Sequence, residues 1–339
     1  MDSRNESNDF TITLINNSLK ELYEEWKSEG LSDDEILLRV TDTKLENAID
    51  KVTDEISSDC VEWLSNNMYD QLIDDRAYST EFIARNERLW NRGFLASEAM
   101  YMITIESARA YSNIIAESSK KCLKDREYTY LVLHQIHGRA CQQFLEILHL
   151  LKGGFADGAN VRWRSLYELS VISEFIRRNG EVVAKEYYKE SFSDEAPKNS
   201  WAKAAPCFSS IRGKGVPFNK IQEQCSFANS AWKNQYLTAN HTVHASPQGT
   251  FDRLGVPAMK DFIPVGRSDY GLAMPAINSA ISLAMISADF FISVPSGDGI
   301  VYIKTISKWS DTVRKCYTEI ERTCFEHQKN RIKESETSL

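Results

Sequence analysis

Apolar residues recur at helical spacing along almost the whole chain, and the two residues that most readily break helices are scarce, with 8 Pro and 15 Gly in 339 residues. That combination leaves little room for sheet and predicts an all-α protein. The periodicity places helices near 11–29, 33–65, 80–119, 127–152, 157–180, 181–194, 218–242, 272–294 and 300–331. The polar run around Asp74-Asp75 reads as a break. The expected organisation is therefore a helical N-terminal segment over 1–80, a multi-helix, bundle-like main domain over 81–331 and a frayed tail over 332–339. Gly153-Gly154 stops one helix and Asp157-Gly158 opens the next. The longest irregular stretch is 245–271, punctuated by Pro247, Gly249, Gly255, Pro257, Pro264, Gly266 and Gly271. A loop of that length in a compact helical chain is more often functional than not.

The hydrophobic share of 42% is enough for a real core, so wholesale disorder is not expected. The formal charge of −8 argues against a nucleic-acid grip through a broad basic face, although a small basic cleft stays open. Seven cysteines (60, 122, 141, 207, 225, 316, 324) form no C-x-x-C pair, which fits reduced thiols and a cytoplasmic location. The polar, acidic N-terminus predicts no signal peptide. Segment 272–294 is the most apolar, but it carries Pro275, Asn278, Asp289 and several serines. It reads as a buried core helix, and no membrane partner is expected.

Placing residues at about 100° per position separates solvated polar groups from inward ones. On 127–152 the apolar stripe is Leu133, Ile136, Ala140, Phe144, Ile147 and Leu151; His137 falls inside it, His134 at its edge and His149 away from it. On 157–180, Arg164 and Glu168 project from the face of Val161, Val171, Ile172 and Phe175, one turn apart and able to pair. Trp163, Glu174 and Arg177 fall on the other side, and Glu174 is expected to be exposed. On 228–245 the stripe is Trp232, Tyr236, Ala239 and Val243, flanked by Asn240 and His244, with His241 opposite. The negative end of the helix dipole would favour a protonated His244. A structural reading stands beside each of these: an inward Arg–Glu pair often only ties helices together, and His137 fits a satisfied core histidine.

Other chemistries find less support. His134, His137 and Cys141 share a face, and Glu146 with His149 reads as Glu-x-x-His, but the second such motif that a di-iron bundle needs is missing. No metal and no cofactor are expected. There is no P-loop, dinucleotide fingerprint or nucleophile elbow. Arg322 and His327 match the Arg-x(4–6)-His pattern of HEPN ribonucleases, a match that chance supplies about once per chain of this composition.

The run Gly153-Gly154-Phe155-Ala156-Asp157-Gly158-Ala159, followed by Arg162-Trp163-Arg164-Ser165-Leu166-Tyr167-Glu168, resembles the hallmark of a bacterial family known as domain of unknown function 5677. The likeness continues at Tyr236, at Val243-His244-Ala245-Ser246, and at Val265-Gly266 with Gly271 and Pro275, covering about 85–295. The resemblance implies a helical fold and no particular reaction; its characteristic residues include Arg162, Arg164, Glu168 and His244.

The leading expectation is a toxin-type or defence effector, a HEPN-like RNA endonuclease that needs no metal. His244 would act as general acid/base, Arg164 and Arg162 would stabilise phosphate charge, and Glu168 would orient Arg164. Asn240, Tyr236 and His137 would position substrate. The alternative is a non-catalytic helical interaction or sensor module. RNA, a protein partner from the same operon and a homodimer are the assemblies left open.

Overall fold

The computed structural model describes residues 10–39, 42–118, 123–227, 231–243, 246–251, 253–256 and 265–326. Among the described residues there are helices and turns and no strand: the protein is all-α. The chain divides into two compact units, 1–80 and 81–339.

The first unit holds α1 (Phe10–Ser28), α2 (Asp33–Arg39) and the start of α3 (Asp42–Glu117). Ser32 and Glu35 form a reciprocal capping box at the start of α2, the Glu35 carboxylate accepting from the Ser32 backbone N–H at 2.8 Å. The helix is not interrupted at Asp74-Asp75, where α3 runs through, although the compact units part at residue 80. Those polar residues are exposed, and the stretch contains no Gly or Pro, so nothing there stops a helix. The helix expected over 33–65 is instead divided between α2 and α3.

The second unit is built around a helical hairpin, α4 (Glu127–Lys152) and α5 (Ala156–Asn179). Helix α6 (Glu181–Glu190) follows, then a strap that holds two short 3-10 turns, Ser200–Ala204 and Pro206–Phe208, and the short α7 (Phe218–Gln222). Next come α8 (Ala231–Val243), α9 (Pro247–Phe251) inside the stretch expected to be irregular, α10 (Ala273–Phe291) and α11 (Gly297–Glu321). The single helix expected over 218–242 is thus two. The tail 332–339 lies outside the described residues.

Helix α10 packs on α4, α5 and α11 together. Its Ala276, Ala280, Ser282 and Ser287 are small enough to let three neighbours approach, and its Leu283, Ile286 and Phe290 fill the space between them. It is the one described helix long and apolar enough to cross a membrane, and most of it is buried inside the protein, as a core helix would be. The expected stripe on α4, from Leu133 to Leu151, is buried in the same core. The α4 helix is closed at both ends by side chains from far along the chain. The Glu181 carboxylate accepts from the N–H groups of Tyr128 and Thr129 at 2.9 Å each. At the other end Asn86 donates to the carbonyls of Leu151 and Lys152 at 3.0 and 2.9 Å.

The α4–α5 turn explains much of the Gly153 to Asp157 motif. Gly154 has φ +78°, and the loop after α9 closes over it: Ser268 N–H donates to Gly154 O at 2.9 Å and Arg267 to Gly153 O at 2.9 Å. Asp157 accepts from the Leu254 N–H at 3.0 Å. These motif residues therefore fix architecture. A Cβ on Gly154 would stand 2.5 Å from the Phe82 ring and 2.8 Å from Ser268 O, whereas one on Gly158 would meet nothing nearer than 3.7 Å. Gly154→Ala should cost about 2–4 kcal/mol in urea denaturation, and Gly158→Ala should be neutral or slightly stabilising. Equal effects at both positions would contradict this picture of the turn.

Candidate functional site

Helices α5 and α8 pack together and bring four of the candidate residues into one cluster. Arg164 and Glu168 sit one turn apart on α5; Tyr236 and Asn240 sit one turn apart on α8. The Arg164 guanidinium donates through Nε to Asn240 Oδ1 at 2.5 Å and lies 3.0 Å from the Glu168 carboxylate. It also reaches the Tyr236 hydroxyl at 3.4 Å and stands 5.4 Å from the centre of that ring. The Tyr236 hydroxyl in turn donates to Glu168 Oε1 at 3.0 Å. Arg164, Glu168 and Tyr236 thus form a closed triangle, with Asn240 holding the far side of the guanidinium.

The charged pair is half-buried, with 24% of the Arg164 side chain and 32% of the Glu168 side chain exposed. Solvent reaches it. Burial, followed by the Glu168 charge, pushes the Tyr236 hydroxyl up to about 12. It stays protonated at neutral pH and works as a donor. Beneath the cluster lies an aromatic wall. Tyr236 stacks on Tyr167 at 4.5 Å, Tyr167 meets Trp232 edge-on at 4.8 Å, and Gln222 donates to the Tyr167 hydroxyl at 2.7 Å. These contacts fix the ring against which the guanidinium rests.

The remaining candidates lie elsewhere. Arg162 leaves α5 on the opposite side and pairs with Glu146 of α4, so it does not join Arg164. The substrate-positioning role expected of His137 does not fit its place. It is 2% exposed, bonds Ser287 of α10 at 3.2 Å and stacks on Phe290 at 4.9 Å. Burial pushes its imidazole down to about 3, so it is a neutral core residue. His134 stacks on the same Phe290, and burial lowers its pKa as well. The Cys141 thiol beside His137 is pushed by burial up to about 12. Among the described residues no group of three His, Cys, Asp or Glu could hold a metal ion. His244 and His327 lie outside the described residues.

Residues 130–261 match a family of unknown function, DUF5677. This is the family whose hallmark the sequence resembles, over a narrower span than the resemblance suggested. The matched segment contains the whole Arg164 cluster, the Gly153-Gly154 turn and the strap after α6; α10 and α11 lie beyond it. No curated protein and no solved structure matches the chain.

A second ionic cluster escaped the helical projection. Glu174, expected to be outward, is 4% exposed. Its carboxylate accepts from the Ser226 N–H at 3.0 Å and the Ser226 hydroxyl at 3.1 Å, with Arg178 at 3.6 Å and Arg177 at 3.9 Å. Arg177 also donates to Asp289 of α10 at 2.5 Å. The outward expectation assumed one apolar face, but α5 is covered by α4, α6, α8 and α10 and is buried nearly all round.

Two expectations follow from these clusters. Glu174→Ala leaves the Ser226 N–H without its acceptor inside the protein, although Arg177 keeps Asp289, and should cost about 2–4 kcal/mol, while Glu168→Ala, in a screened and partly exposed pair, should cost about 1 kcal/mol. Urea denaturation of both variants checks the order, which is the reverse of the order that the sequence suggested. Desolvation pushes the Asp289 carboxyl from 3.8 up to about 6, against the opposing pull of Arg177. The folded state therefore holds this proton where the unfolded chain has already released it. Stability from this group is greatest below about pH 4 and declines as pH rises towards 6. Subtracting the pH–stability curve of Asp289→Asn from that of the wild type should show this decline, and a flat difference would refute it.

Proposed function

We propose that the protein is a toxin-type or defence effector, a HEPN-like RNA endonuclease that works without a metal. The observation that carries this reading is the partly exposed Arg164, held by Glu168, Asn240 and the Tyr236 ring in a fixed orientation, as a cation that meets a phosphate would be. The distribution of charge adds support. Residues 1–80 hold 20 Asp and Glu against 7 Lys and Arg, while residues 81–339 hold 28 against 33. The net −8 therefore belongs to the first unit, and the second, which carries the cluster, is basic.

In this reading His244, four positions after Asn240 in the sequence, takes the proton from a ribose 2′-hydroxyl. The 2′-oxygen attacks the adjacent phosphorus, the bond from phosphorus to the 5′-oxygen breaks, and a proton returns to that oxygen. The products are a 2′,3′-cyclic phosphate and a 5′-hydroxyl. Arg164 neutralises the charge that gathers on the phosphate, and Glu168 keeps its plane fixed. Tyr236 and Asn240 hold the nucleotide. Arg162 and His137 take no part.

A second reading, a non-catalytic interaction module, is favoured by a different observation. Val61, Leu64, Met68 and Leu72 recur at helical spacing on α3 and are all exposed, in the strongly acidic first unit. Such a stripe suits a protein partner.

Cleavage of labelled RNA by purified protein decides between the two. His244→Gln should lower the rate by about 10²–10⁴ while the melting temperature stays within a few degrees, and EDTA should change nothing. Activity that vanishes with EDTA and returns with a divalent ion would end the metal-independent mechanism. No cleavage by the wild type would leave the interaction module.

A further inference from the structure

Between Glu195 and Glu223 the chain has no carboxylate, although 48 of its 339 residues are Asp or Glu. The same stretch carries Lys198, Lys203, Arg212, Lys214 and Lys220. It forms the strap between α6 and α7, and its fold gathers these cations. Asn199, at φ +56°, donates from its side chain to Val216 O at 3.0 Å. Gly215 lies so close to the Lys198 backbone that a Cβ would not fit, and the Lys203 ammonium donates to Gly213 O. The two arms of the strap are thereby clamped together, with Lys198, Arg212 and Lys214 exposed along it. Among the described residues no carboxylate lies within ion-pair distance of these three. Lys220, by contrast, is paired with Glu223 at 2.9 Å.

The strap ends at the candidate site. The Phe218 ring lies 6.2 Å from that of Tyr236, and Gln222 bonds Tyr167 in the wall beneath Arg164. At its other end Phe192 is 74% exposed and rests edge-on against Tyr188 at 5.0 Å. Unpaired cations flanked by aromatic rings suit a chain of phosphates whose bases are free to stack, rather than an acidic peptide. We propose that the strap and α7, over 196–222, bind the phosphate backbone of single-stranded RNA and lead it to the Arg164 cluster. This rests on the reading of the protein as RNA-acting, but it concerns binding and not cleavage.

Fluorescence anisotropy of the full chain with a labelled, mixed-sequence single-stranded RNA of about 20 nucleotides tests it. Each phosphate contact contributes about −0.7 to the slope of log affinity against log salt. The triple variant Lys198→Glu, Arg212→Glu, Lys214→Glu should therefore lose about tenfold or more in affinity and flatten that slope by about 2. Lys214→Glu alone, with less risk to folding, should lose a few-fold and flatten it by about 0.7. Unchanged affinity and slope in both strap variants overturn the proposal. So does poly-glutamate that competes as well as RNA at equal charge, which would point to an acidic protein instead. A wild type that binds through the strap and cleaves nothing overturns the nuclease reading alone.

Discussion

Helix α5 is covered on every side, by α4, α6, α8 and α10, and that confinement governs much of the rest. A charge on such a helix has little water around it, so it is stable only where it meets a partner. Three of its four arginines do so in different directions. Arg162 meets Glu146 on α4, Arg164 meets Glu168 and Asn240 facing α8, and Arg177 meets Asp289 on α10. The carboxylate of Glu174 goes to Ser226 at the end of the α7 region. These pairs specify which face of α5 meets which neighbour, so they set orientation as much as stability.

Of these pairs, Arg164 with Glu168 combines solvent access with an aromatic wall behind it. The others are shut in or spread along surfaces with no wall. That difference separates a group that can meet a ligand from groups that only hold helices. The Gly153 to Asp157 motif belongs to the second kind, since its glycines and its aspartate are bonded to Leu254, Arg267 and Ser268 in closing the α4–α5 turn. One family signature therefore mixes two roles, an architectural turn and a half-open cation a few residues further on. The division of charge between the acidic first unit and the basic second works at a longer range. It lets one chain present an apolar, acidic helix face in one place and a carboxylate-free strap in another.

Where structure follows from neighbours in sequence, the residues alone were informative. The helical class, the buried stripe from Leu133 to Leu151, and the pairing of Arg164 with Glu168 one turn on all depend on a 3.6-residue repeat. Tyr236 and Asn240 share a face for the same reason. The polar run at Asp74-Asp75 misled because solvated polar residues look alike in a loop and on an exposed helix, and only a Gly or Pro distinguishes them. What local spacing cannot express is how many neighbours a helix has. On α5, buried nearly all round, a single apolar phase has no meaning, and so Glu174 was placed outside when it lies within. The sequence by itself determined the helical class, the stripe on α4 and the i,i+4 pairs, because those are set within one turn of chain. Only the tertiary structure decided that α8 would close on Arg164, that Arg162 would face away, and that His137 would be sealed against Phe290. Each of those depends on which distant helix fills the adjacent space.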